Sequence, residues 1–131
     1  MTLYRHPAIA LVVVLLFATS ASAASPCLSD KADRELATGM LSVGRAKDAA
    51  GRPERPYILT LAVPVCLSTD EPDDKVDATK TIHIFATDPK IADLISKLVG
   101  KPVAVRGRPF PALTAHHHAP IVMEVYEIAA Q

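Results

Sequence analysis

The sequence predicts a mainly β domain, a small five-stranded barrel with one helix between its third and fourth strands. Three observations carry that reading. Short apolar segments show the two-residue alternation of half-buried strands, one well-capped helical pattern falls after the third of them, and glycines interrupt the first and the fourth where a strand must bend.

The first strand is Leu36 to Val43, LATGMLSV, with Gly39 in its middle, and a glycine there implies a bulge or a sharp bend. Gly44 to Pro56, GRAKDAAGRPERP, is rich in glycine, proline and charge and reads as a loop. Tyr57 to Leu67, YILTLAVPVCL, follows as the second strand, with Tyr57, Leu59, Leu61, Val63 and Val65 on one face. Pro64, on the other face, has no N–H for a ladder, so this end of the strand is expected at an edge or leaving the sheet. Ser68 to Thr79, STDEPDDKVDAT, holds a run of acids whose spacing is not that of an EF-hand loop; it reads as a solvated acidic loop. Lys80 to Thr87, KTIHIFAT, is the third strand, with Ile82, Ile84 and Ala86 on one side and His83 and Phe85 on the other.

Asp88 and Pro89 open the helix. An aspartate at the N-cap accepts orphan backbone N–H groups, and a proline in the first turn loses nothing by lacking its own. Ile91, Leu94, Ile95 and Leu98 form one apolar stripe, and Gly100 supplies the stop. Val103 to Phe110, VAVRGRPF, is the fourth strand, bent at Gly107, and Ile121 to Ile128, IVMEVYEI, is the fifth. Between them lies PALTAHHHAP, Pro111 to Pro120. Strand, strand, strand, helix, strand, strand is the order of the OB barrel, whose helix plugs one end. An SH3-like barrel or an open α+β sheet fits less well, since neither expects a full capped helix at that place.

Ahead of the domain, residues 1–23 read as a secretory signal peptide: a basic head with Arg5 and His6, an apolar run from Ala8 to Ala18, and Ala21-Ser22-Ala23 at the cleavage point. That run falls short of the roughly 20 residues of a spanning helix, so residues 24–131 are expected as one periplasmic or secreted domain, monomeric and free of the membrane after cleavage. Cleavage removes only Arg5 from the balanced set of 14 basic and 14 acidic residues, and an exported chain without excess charge is a poor nucleic-acid binder. Cys27 and Cys66 both lie beyond the cleavage point, and an oxidising compartment makes a disulfide of such a pair. A catalytic cysteine–histidine pair is the weaker reading.

LAVPVCL, then LVGKPVAVRGRPF after the helix, then LTAHHHAPIVMEVYEI together resemble a bacterial domain-of-unknown-function family, number four-four-three-one. The resemblance covers roughly Leu36 to Ile128, and its specific part is Gly107 with Thr114, His116, His117 and His118. Ala115 stands where the resemblance implies a glycine and Ala119 where it implies a threonine. It implies no activity.

Function therefore turns on the histidine loop. In an extended segment His116 and His118 would project to one side and His117 to the other, and such a His-x-His pair suits Zn²⁺ or Cu²⁺. Further ligands would have to come from His83, Glu124 or the acidic loop. A second reading makes the rings loop fasteners, each neutral imidazole satisfying backbone groups, with the Thr114 hydroxyl in the same network. A third makes the loop a binding surface. In OB barrels the loops joining strands one and two and strands four and five flank the ligand face, and here those loops would bring Arg52, Arg55, Arg106 and Arg108 beside Thr114 and the three histidines. An anionic sugar, a cell-wall fragment or a protein partner would suit that surface. No nucleophile elbow, phosphate loop, zinc-protease motif or cofactor fingerprint occurs, so a binding module is expected ahead of an enzyme, with a cell-wall hydrolase or inhibitor as the remaining alternative.

Overall fold

The structure, a computed structural model, describes residues 26–131, so the expected signal peptide lies outside the described residues. The strands are β1 (Cys27–Ser29), β2 (Glu35–Val43), β3 (Ala46–Lys47), β4 (Pro53–Glu54), β5 (Tyr57–Ser68), β6 (Val76–Phe85), β7 (Pro102–Pro111) and β8 (Ile121–Ala130), and the helix α1 (Pro89–Lys97) falls between β6 and β7. β2 pairs antiparallel with β5 and with β7, β5 with β6, and β7 with β8. The ring closes where β6 and β8 run parallel, from Ile82 beside Ile121 to Phe85 beside Glu124. Five long strands thus form a closed barrel in the OB-like order, with the expected helix between the third and the fourth.

The two strand glycines do what their positions imply. A Cβ on Gly39 would collide with the Thr60 carbonyl across the β2–β5 ladder, and one on Gly107 would collide with the Glu124 carbonyl. Gly107 lies at the register shift between β7 and β8, so the missing side chain lets two backbones close in where the strand bends. Inside the barrel, Leu41, Leu59, Ile82, Ile84, Ile121 and Met123 are fully buried. The Asp88 carboxylate accepts the Lys90 N–H at 2.8 Å, Pro89 starts the helix, and Gly100 ends the turn after it at φ +84°. Ile95 is the helix residue that plugs the core, a burial worth about 1.5–3 kcal/mol.

Some expectations need correction. Leu94, placed on the buried stripe, is 41% exposed; Ile91 and Leu98 share the contact with Ile95 instead. Val63, expected to face inward with Leu61, is 61% exposed; it falls in the stretch between Thr60 and Val65 where the β5–β6 register shifts, while Val65 and Leu67 beyond it pack on the core in the same phase as Leu59 and Leu61. That break contains Pro64, where the missing N–H had implied that the strand leaves the sheet. The third long strand begins at Val76 rather than Lys80, which shortens the acidic loop. The stretch 44–56, read as a plain loop, carries the β3–β4 hairpin.

β1 lies parallel to the far end of β5 with Cys27 opposite Cys66, and these two form the disulfide. Among the described residues no helix is long and apolar enough to cross a membrane.

Candidate functional site

Alternation along β6 decides which side chains reach the site. Ile82 and Ile84 face the core, so His83 and Phe85 stand on the outer wall of the barrel. Across the ladders His83 lies between Ile58 of β5 and Val122 of β8, and Val122 in turn lies beside Phe110 of β7. Val122 is fully buried without belonging to the barrel core, because residues 112–120 fold back over this wall and cover it. The loop is closed at its base by the Ala112 N–H donating to the Pro120 carbonyl at 3.1 Å.

The histidines divide the work of holding that loop. The segment is a turn rather than the extended run that would set alternate rings on opposite sides: the His117 N–H donates to the Thr114 carbonyl at 3.1 Å, and the His116 N–H to the Thr114 hydroxyl at 3.2 Å. His117 is the internal fastener. Its Nδ1 accepts the Leu113 N–H at 2.9 Å and the Thr114 N–H at 3.3 Å, and its ring meets Phe110 edge to face. His118 is anchored to the wall, its N–H donating to His83 Nδ1 at 3.2 Å and its ring stacked on His83 at 5.8 Å between centroids. His83 therefore serves as an acceptor at Nδ1. Burial, then the neighbouring rings of His118 and His117, hold it below the ordinary histidine range, which keeps that acceptor available.

One residue absent from the sequence reading completes the site. Glu54, on β4, receives His116 Nδ1 on one carboxylate oxygen and His118 Nε2 on the other. These hydrogen bonds, first from His118 and then from His116, lower the Glu54 pKa from the ordinary carboxylate range. The carboxylate thus clasps the loop between β2 and β5 to the loop between β7 and β8. The hairpin that presents it is firm: Asp48 accepts the backbone N–H groups of Ala50 and Arg52, both at 2.9 Å, and pairs with Arg52 Nε at 2.6 Å. The Arg52 backbone bond is the largest influence keeping Asp48 ionised to lower pH, and Gly51 turns the hairpin at φ +77°.

The expected arginines divide. Arg52 is engaged by Asp48, and Arg55 follows Glu54 and lines an open depression of about 310 Å³ with Arg45, Lys47 and Pro53. Arg106 and Arg108 are not joined to the histidines by any ion pair or hydrogen bond. Arg106 lies on β7 beside Leu36 and Glu127, and Arg108 is 4.0 Å from Asp33. Glu124, weighed as a metal ligand, accepts from Thr87 at 2.7 Å. Among the described residues no three or more His, Cys, Asp or Glu side chains are grouped as a metal cage, and the ring nitrogens of His116 and His118 that face the hairpin are engaged by Glu54. The arrangement offers a rigid, polar rim with its charges partnered on one side and free on the other.

Neither a curated protein nor a solved structure matches the chain. Residues 81–129, which run from His83 and its strand through the histidine loop into β8 but exclude the Glu54 hairpin, match the family model described as Domain of unknown function (DUF4431), the family that the sequence resembles.

Proposed function

We propose that this chain is an exported binding module whose ligand surface is the rim made by the 44–56 and 111–120 loops. The observation that carries the reading is the Glu54 clasp, in which one carboxylate holds His116 and His118 and so joins the two loops that flank the ligand face of an OB barrel. A site that must recognise a partner gains from loops held in place before the partner arrives, since the cost of ordering them is already met. The disulfide and the signal-like leader support export, and the cell envelope is the compartment in which a ligand is sought. The rim histidines are taken up in bonds that hold the loops, His116 and His118 with Glu54 and His117 with the Leu113 N–H, which supports a binding role.

The test is retention of untagged residues 24–131 on purified peptidoglycan sacculi, compared with His116→Ala/His118→Ala. Retention of the wild type, reduced about tenfold in the variant, is expected; equal pelleting of both, or of neither, overturns the reading. The rival, a Zn²⁺ or Cu²⁺ protein, is separated by calorimetry on the same pair. Affinity tighter than about micromolar, lost in the variant, would replace the binding-module reading with a metal one.

A further inference from the structure

The β3–β4 hairpin has two faces, and only one of them belongs to the clasp. Its register sets Ala46 opposite Glu54 and Lys47 opposite Pro53. Alternation then gives Ala46 and Glu54 one side, half-buried toward the histidine loop, while Arg45, Lys47, Pro53 and Arg55 share the exposed side. Both acids of the hairpin are engaged elsewhere, Asp48 by Arg52 and Glu54 by His116 and His118. Arg45, Lys47 and Arg55 have no ion-pair partner among the described residues, although the chain as a whole is neutral, and five of its 14 acidic residues lie together in residues 70–77. Three unpaired cations therefore surround one open depression beside the rim, whose lining also includes Ala46 and Glu54, the latter with its carboxylate oxygens already engaged by His116 and His118.

We propose that this depression is the seat of an extended anionic glycan, a sugar chain that repeats carboxylate, phosphate or sulfate groups. The inference rests on the rim reading above and names its ligand class. Openness decides the size of the ligand. One exposed ion pair contributes little, so a single small anion is not held, whereas a chain with a charge on each successive sugar meets three cations at once and gains from their tethering. Arginine forks match planar or tetrahedral oxyanions, and the Pro53 ring adds apolar surface for a sugar to rest on. Single-stranded nucleic acid is the less suitable polyanion. Its binding draws on aromatic stacking, and the depression is lined by no aromatic side chain, while Phe85 and Phe110 pack against each other beside the histidine loop.

The experiment titrates residues 24–131 with polygalacturonate, neutral dextran of equal length and poly-dT. It uses the wild type, Arg45→Ala/Lys47→Ala/Arg55→Ala and, as a control for the same loss of charge, Lys90→Ala/Lys97→Ala/Lys101→Ala on and just after the helix. Polygalacturonate is expected to bind and dextran not. The hairpin triple variant is expected to lose about tenfold in affinity and the helix variant none. Binding should also weaken between about 10 mM and about 150 mM salt, as the Debye length falls from about 30 Å to about 8 Å. Equal loss in both variants, or poly-dT bound as tightly as polygalacturonate, overturns the glycan seat. Sacculus retention without polygalacturonate binding overturns the seat and leaves the rim reading standing; loss of both takes down the two together. The substituted side chains are exposed, and circular dichroism verifies that the variant stays folded.

Discussion

Glu54 and His83 touch the same histidine loop, yet they link its stability to pH in two separate windows. The Glu54 pKa is lowered from its ordinary 4.5 by hydrogen bonds from His118 and His116. Its stabilisation is therefore present above that value and is lost as the pH falls through the lower, folded one. His83 is also lowered, from 6.5, by burial and by its ring neighbours. The unfolded chain takes up its proton first, so stability begins to fall as the pH drops below about 6.5, and protonation also removes the acceptor used by the His118 N–H. Thermal melts should show the wild type less stable at about pH 5 than at about pH 7, with a smaller difference in His83→Gln. Glu54→Gln should flatten only the more acidic part of the profile; a variant that flattened the neutral part instead would contradict the assignment. At Gly107 the effect is steric. Gly107→Ala sets a methyl against the Glu124 carbonyl in the bulge and should cost about 1–3 kcal/mol in urea unfolding.

Elements with strong local signals were legible in the sequence, and elements made by distant partners were not. Asp88, Pro89 and Gly100 mark α1 because capping is a local matter of unsatisfied backbone groups, and Asp88→Ala should lower stability by about 1 kcal/mol in chemical denaturation. Val63 escaped because it lies where β5 and β6 lose their register, and that break between two strands leaves no mark on the alternation within one of them. The β3–β4 hairpin was hidden because two-residue strands in a charged, glycine-rich stretch carry no apolar period. β1, three residues long, is also too short to show a period, and it is tied to β5 by a parallel ladder and by the disulfide. Cys27→Ser/Cys66→Ser should cost about 3–4 kcal/mol on the chain-entropy estimate, with amide exchange at Leu28 accelerated more than at Leu59. Equal protection at the two amides would show that the ladder holds β1 without the bridge.

Across the whole molecule the barrel was readable and the site only half so. Strand order, helix position and glycine bends are written in patterns that span a few residues each. The clasp joins Glu54 to His116 and His118 across 62 and 64 residues, and no local pattern distinguishes Glu54 from the other charges of its loop. Only barrel closure brings them together. Arg106, next to Gly107, is likewise set by its ladders beside Leu36 of β2 and Glu127 of β8, and not beside the histidines.

That closure also sets an order of events in time. The parallel β6–β8 ladder and the long β7–β8 ladder both depend on Ile121–Ala130, so until this segment is available β6 and β7 stand as two open edges. A chain still in synthesis thus cannot shut its barrel, however complete its first strands are, and pairings between such distant segments form slowly. For that interval the protein depends on remaining unfolded or shielded, since an open apolar edge is the surface on which strands of different chains join.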